Sequence, residues 1–203
     1  MSGEEASGIG DIYRRHGAAW AANRGQQLIE KNWLDQFIAL LGSERTVLDV
    51  GCGTGRPIGS YLGAQACEVT GVDSSPELLN MARELTPRNR WIEADMRELD
   101  LGQRFDGILA WHSFFHLAPD DQRSMFPIFR DHAKDGAALM FTSGVKHGVS
   151  IGTMEDEPLY HASLDPEEYR DLLASNGFEV VNHLVNDPDC ARATVWLAKV
   201  GDV

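Results

Sequence analysis

Residues 47–57 read VLDVGCGTGRP, an apolar β-branched run that ends near an acid and then places glycines on alternate positions, Gly51, Gly53 and Gly55. A buried parallel strand feeding a glycine-rich turn and then a helix is the ligand-cradling corner of a doubly wound α/β domain. Glycine lets the backbone turn tightly and approach a ligand with no Cβ between them. The spacing separates two kinds of ligand. A pyrophosphate-binding turn reads G-x-G-x-x-G and meets its phosphates with a helix N-terminus. Here the run is D-x-G-x-G-x-G, with Asp49 ahead of the turn. An acid is unfavourable beside a pyrophosphate and suits a ligand carrying an ammonium group and a sulfonium.

The pattern of strand followed by acid recurs downstream. CEVTGV, residues 67–72, is a second strand-like run, and Asp73 closes it about 20 residues after the turn, where an acid is placed to accept both hydroxyls of a ribose. A helix start follows at once, with Ser75 as N-cap, Pro76 at the first helical position and Glu77 at the positive end. WIEADM at 91–96 and FDGILAW at 105–111 supply third and fourth strands.

In this order the segments closely resemble the motifs of class I S-adenosylmethionine-dependent methyltransferases, well over about residues 44–143 and more loosely beyond. The resemblance implies a Rossmann-like, doubly wound, mostly parallel seven-stranded sheet of order 3-2-1-4-5-7-6, with strand 7 antiparallel and helices on both faces. It implies S-adenosylmethionine as methyl donor and S-adenosylhomocysteine as product. Carried over residue by residue, the donor set is Asp49, Gly51, Cys52, Gly53, Asp73, Ser74, Asp95, Met96, Trp111 and Tyr13. Asp95 then meets the adenine amino group and Met96 packs on the ring. The N-terminal helical region folds over the donor, so that Tyr13 closes on the methionine moiety; Arg24 either pairs with its carboxylate or, the reading we favour, is solvated. Tight turns and helix caps explain Gly51, Gly53, Asp73 and Asp95 singly, but not as an ordered set.

The bulk numbers set the remaining bounds. A chain of 203 residues is most simply one domain with a substantial core. A net charge of −13 argues against general nucleic-acid binding and against an anionic membrane surface. The N-terminal MSGEEASGIG lacks the apolar segment of a signal peptide, and no run is long enough to span a bilayer. Cys52, Cys67 and Cys190 form no C-x-x-C pair, so the expectation is a cytoplasmic protein with reduced thiols, monomeric or homodimeric. No clustered His/Cys set suggests a metal.

Along the chain, residues 1–42 read as an N-terminal helical lid, 43–143 as the donor-binding core, 144–164 as a flap and 165–203 as a helix and terminal β-hairpin. Within the lid, residues 11–23 suit a short helix, and 26–41 a longer one with Ile29, Trp33, Phe37, Leu40 and Leu41 on one face. Strands are expected near 46–50, 67–72, 90–93, 105–110, 137–143, 178–185 and 193–200, and helices near 55–63, 76–85, 119–133 and 166–175. The last helix starts at Asp165, with Glu168 able to close a capping box, and stops at Gly177. The twenty or so residues between the fifth strand and this helix are a long connection, uncommon unless functional.

The acceptor side is less patterned. WHSFFHL, residues 111–117, follows the fourth strand directly. His116 holds the place of a histidine common in small-molecule members of the family, where a neutral imidazole would take a proton from oxygen or nitrogen; a histidine that caps its local turn fits equally. His112 faces the same choice, with a structural role slightly ahead. Of Trp111, Phe114 and Phe115, two suit the core and one an apolar acceptor pocket, so Phe115 joins Tyr160 and His161 as candidate substrate contacts. The reading is methyl transfer to an oxygen or nitrogen of a small molecule. Its rivals are a non-catalytic S-adenosylmethionine-binding protein and, more distantly, an NAD-dependent oxidoreductase, against which Asp49 and the terminal hairpin both speak.

Overall fold

The computed structural model describes residues 6, 8–24 and 27–201. Seven strands form the central sheet: β1 (Thr46–Val50), β2 (Glu68–Asp73), β3 (Arg90–Glu93), β4 (Phe105–Ala110), β5 (Ala133–Ser143), β8 (Phe178–Asp187) and β9 (Ala193–Val200). Their spatial order is β3-β2-β1-β4-β5-β9-β8. The first five pair in parallel, and β9 runs antiparallel to both β5 and β8. Counted without the separate hairpin β6 (Gly148–Met154) and β7 (Glu157–Ser163), this is the order and direction expected from the sequence.

Helices cover both faces: α1 (Ile9–Arg24), α2 (Lys31–Ala39), α3 (Ile58–Ala64), α4 (Pro76–Leu85), α5 (Pro119–Asp131) and α6 (Pro166–Ser175). One core layer joins β1, β4 and β5 to α5 and α6 through Phe105, Phe114, Phe126, Phe129, Phe141, Tyr169 and Trp196. The opposite layer packs Trp33, Leu34 and Phe37 of α2 and Leu62 of α3 on Val47, Leu109 and Met140. β1 and β4 are buried along their whole length, as strands covered on both faces must be.

Local signals explain most boundaries. Ser75 Oγ accepts from the Leu78 amide and Asp165 from the Glu167 amide, so both predicted N-caps operate. Gly177 ends α6 at φ +76°. Other boundaries differ. The helix expected over 26–41 begins only at Lys31, with Glu30 bringing no side-chain cap and Ile29 exposed; residue 26 lies outside the described part. The helix after the glycine turn begins at Ile58 rather than 55, because the turn itself takes up Gly53 to Pro57. Glu168 closes no capping box recorded in the structure; its carboxylate instead accepts from Arg123 of α5. The long connection of 144–164 is the two-stranded hairpin β6–β7, which lays Met154, Leu159, Tyr160 and Ala162 against Ile9 and Ile12 of α1.

Candidate active site

A cavity of about 260 Å³ opens at the carboxyl ends of β1, β2 and β4, the place where open α/β sheets bind ligands. All ten residues expected around the donor line it: Asp49, Gly51, Cys52, Gly53, Asp73, Ser74, Asp95, Met96, Trp111 and Tyr13. So do His112 and His116.

The floor is built from strand ends. β1 delivers buried Asp49, and the chain turns at Gly51 with φ +76°. A Cβ on Gly51 would stand 2.2 Å from Ser113 Cβ, so only glycine fits there. Ser113 Oγ donates to the Val50 carbonyl at 2.6 Å and ties the end of β4 to the end of β1. Asp73, ending β2, accepts the Gly53 amide at 2.8 Å and the Ser75 amide at 2.9 Å. One carboxylate thus fixes both the glycine turn and the start of α4, and still has lone pairs for a ligand. Burial raises the Asp73 pKa, against these amides, which lower it. Burial, helped by the nearby Asp73 charge, pushes Asp49 up to about 7. The Asp73 charge thus holds Asp49 back from ionising, and a cation bound beside them would favour the charged form. Burial also pushes the Cys52 thiol up, which fits a small packing residue and not a reactive thiolate. Asp95 caps a one-turn helix at Met96–Glu98 and is engaged by Arg97, which lowers its pKa.

The roof is α1. Trp20 lies over Gly53, where a Cβ would come within 3.3 Å of its ring, and Gly17 packs against Leu78 of α4. Tyr13 reaches the cavity from the same helix. Its hydroxyl is 3.1 Å from His116 Nε2, while His116 Nδ1 is 2.8 Å from the Tyr160 carbonyl oxygen. A carbonyl only accepts, so Nδ1 carries the proton, Nε2 is the acceptor and Tyr13 donates to it. Burial lowers the His116 pKa to about 4, with His161 and His112 adding to the shift. The imidazole is therefore neutral, and the lone pair a base would use is already occupied. Burial also raises the Tyr13 pKa, with Asp73 adding to it, and keeps its hydroxyl a neutral phenol. His112 adopts φ +51°, uncommon for a side-chain-bearing residue and a recurrent feature of functional turns.

Three expected substrate contacts are placed elsewhere. Phe115, Tyr160 and His161 do not line the cavity. The Tyr160 side chain is buried among the α1–hairpin contacts, so its carbonyl rather than its ring meets His116. Phe115 and His161 pack on each other and on the His116 ring. Trp111 and Phe114 are both core residues, and Trp111 also borders the cavity. The Arg24 side chain lies outside the described residues.

Sequence reasoning missed Ser113, whose position in AWHS was visible but whose bond to Val50 was not. It also missed Glu157 at the hairpin tip, which accepts from Arg15 and pairs with His16, fastening the hairpin to α1; nothing local marks it. Among the described residues, no group of three or more His, Cys, Asp or Glu is placed to hold a metal ion, and no helix is long and apolar enough to cross a membrane.

Comparison with known proteins agrees with this geometry. A family model described as a methyltransferase domain matches residues 47–136. A trans-aconitate 2-methyltransferase of Azoarcus sp. (strain BH72) is 32% identical over 100 residues, 49% of this chain and 39% of that protein. Its counterpart in Rhodopseudomonas palustris (strain BisB5) is 27% identical over 157 residues, 75% of this chain and 60% of that protein. The chain thus spans less than two thirds of the length of these curated relatives. Among solved structures, S-adenosylmethionine-bound CalS10 from Micromonospora echinaspora, an amino pentose methyltransferase, superposes with a TM-score of 0.72 at 19% identity, covering 91% of this chain and 96% of that one. Residues 47–136 thus match a methyltransferase domain, and in its sheet order and glycine turn the chain is similar to S-adenosylmethionine-dependent methyltransferases of known structure.

Proposed function

We propose that the protein transfers the methyl group of S-adenosylmethionine to a nitrogen or oxygen of a small molecule. The observation that carries this reading is the pair of acids, Asp49 and Asp73, set around one glycine turn beneath α1. That floor suits a ligand with a ribose diol and positive charge and opposes a pyrophosphate. Asp73 takes the ribose hydroxyls on the lone pairs its two backbone amides leave free. Asp95 and Met96 flank the adenine, and Asp49 supplies negative charge on the methionine side. Trp20 and Tyr13 of α1 roof the donor and exclude water.

The donor brings an already activated methyl group, so the protein's task is chiefly alignment. Tyr13, held by His116, and the turn at Trp111–Ser113 border the space next to the donor and orient the acceptor there. The small cavity, the net charge of −13 and the hairpin beside α1 favour a small acceptor over a nucleic acid. The family model and the methyltransferase relatives support the reaction class.

Calorimetric titration with S-adenosylhomocysteine, with NAD in parallel, tests the reading. Micromolar binding of the first alone is the expected result. Binding of NAD, or of neither, overturns it.

A further inference from the structure

Three groups at the acceptor end of the cavity, Tyr13, Ser113 and His116, have their protons already committed. Tyr13 Oη donates to His116 Nε2, and Ser113 Oγ donates to the Val50 carbonyl. Both hydroxyl oxygens therefore have only lone pairs left to offer an incoming group. His116 is closed on both sides, by the Tyr160 carbonyl at Nδ1 and the Tyr13 hydroxyl at Nε2. Cations are committed too. Arg97 is engaged by Asp95 and Asp121, Arg14 by Asp11, and Arg56 by the Leu85 carbonyl.

These commitments discriminate among nucleophiles. An alcohol must lose its proton as it attacks, which requires a base with a free lone pair. A carboxylate needs no base but needs a cation to hold it once desolvated. An amine that has left its proton in bulk water before it binds needs neither. Its N–H groups match oxygens that only accept, and its own lone pair is the nucleophile.

Building on the methyl-transfer reading above, we infer that the acceptor is a small primary or secondary amine, oriented by an N–H bond to Tyr13 Oη. The amine nitrogen forms the new N–C bond with its lone pair. The C–S bond breaks with its electrons passing to sulfur, leaving a neutral thioether. The positive charge moves from sulfur to nitrogen and stays within reach of Asp49 and Asp73. The methylated ammonium sheds its proton to water after release, so no side chain has to take it up during attack.

Two isosteric sets test this on the whole protein: benzylamine, benzyl alcohol and benzoate, and glucosamine, glucose and glucuronate. Binding of S-adenosylhomocysteine is measured first by calorimetry, which isolates the donor reading; if it fails, the methyl-transfer reading falls before the acceptor is in question. With donor binding established, methyl incorporation from labelled S-adenosylmethionine is followed for each compound. The expected result is incorporation into at least one amine, ten-fold or more above its alcohol and carboxylate isosteres, and a ten-fold rise in that amine's KM in Tyr13→Phe. Incorporation into neither amine, or preference for a carboxylate, overturns the inference. So does preference for an alcohol that is lost in His112→Ala, since that residue would then supply the base.

Discussion

The proposed donor and acceptor sides of this cavity are made in different ways. The donor side consists of strand ends held by backbone, with Asp73 bonded to the Gly53 and Ser75 amides. The acceptor side is a meeting of segments far apart in the chain. Tyr13 comes from α1, His116 from the turn after β4 and the Tyr160 carbonyl from β7. Strand ends inherit their positions from the buried sheet, whereas side chains from a helix and a hairpin meet only when both pack down. Damage to the first side should therefore appear in donor affinity, and damage to the second in turnover.

The largest effect is expected at Asp73. Asp73→Ala removes the proposed acceptor of two ribose hydroxyls and releases the Gly53 and Ser75 amides. Donor affinity should fall by about 2 kcal/mol or more. Calorimetry with S-adenosylhomocysteine reads this, and unchanged affinity would remove the ribose assignment. A parallel denaturant titration shows how much of the loss is weakened folding.

Asp49 gives the comparison a pH axis. Its carboxyl is raised to about 7 by burial and then by Asp73. If the cationic donor binds the ionised form, affinity should rise about ten-fold between pH 6 and pH 8, and Asp49→Asn should flatten the profile. For folding without ligand the sign is opposite. A raised acid binds protons more tightly in the folded state than in the unfolded chain. Its contribution is full below about pH 4 and is lost as pH rises through about 7. Donor binding and apo stability should thus move in opposite directions over the same window. A pH-independent donor affinity in the native protein would break the electrostatic account of the donor side.

On the acceptor side, His116→Ala should lower turnover about ten-fold while leaving S-adenosylhomocysteine affinity within about two-fold, because it frees Tyr13 without touching the donor floor. It also removes the hydrogen bond that His116 makes to the Tyr160 carbonyl, costing about 1 kcal/mol of stability. An equal loss of donor affinity would mean that the two sides are not separable.

What the sequence discloses follows the same division. The grouping of residues along the cavity floor was legible because strand, turn and acid recur with fixed local spacing: Asp49 with Gly51 and Gly53, then Asp73, then Asp95. The antiparallel last strand was legible from the hairpin at 178–200. The β6–β7 hairpin was not. Its tip turns through Glu155 at φ +47° and Asp156 at φ +66°, without the glycine or asparagine that marks such turns. Gly148, Gly152 and Pro158 dilute its strand pattern, and its burial comes from Ile9 and Ile12, remote in sequence. The place of the Tyr160 side chain was hidden for the same reason: which of its atoms faces His116 depends on that packing. The closed state of His116 is likewise set by Tyr13, a hundred residues away.

The smallest expected effect tests whether the acceptor side depends on the fastening between α1 and the hairpin. Glu157 lies at the tip of the hairpin and accepts from Arg15 and His16 of α1. These two partners, Arg15 first, lower its carboxyl to about 2. The contribution of this lowered carboxylate is present above the ordinary glutamate range and is lost as pH falls through about 2. The group is solvated, and such pairs contribute little to stability. Glu157→Gln should therefore leave thermal stability and donor affinity nearly unchanged. Its effect should be confined to the acceptor's KM, raised by about three-fold or less, because looser α1–hairpin packing blurs the Tyr13–His116–Tyr160 alignment. Raised salt should reproduce the change in the native protein and have no further effect in the variant. A change in donor affinity instead would place the fastening on the donor side and redraw the division between the two halves.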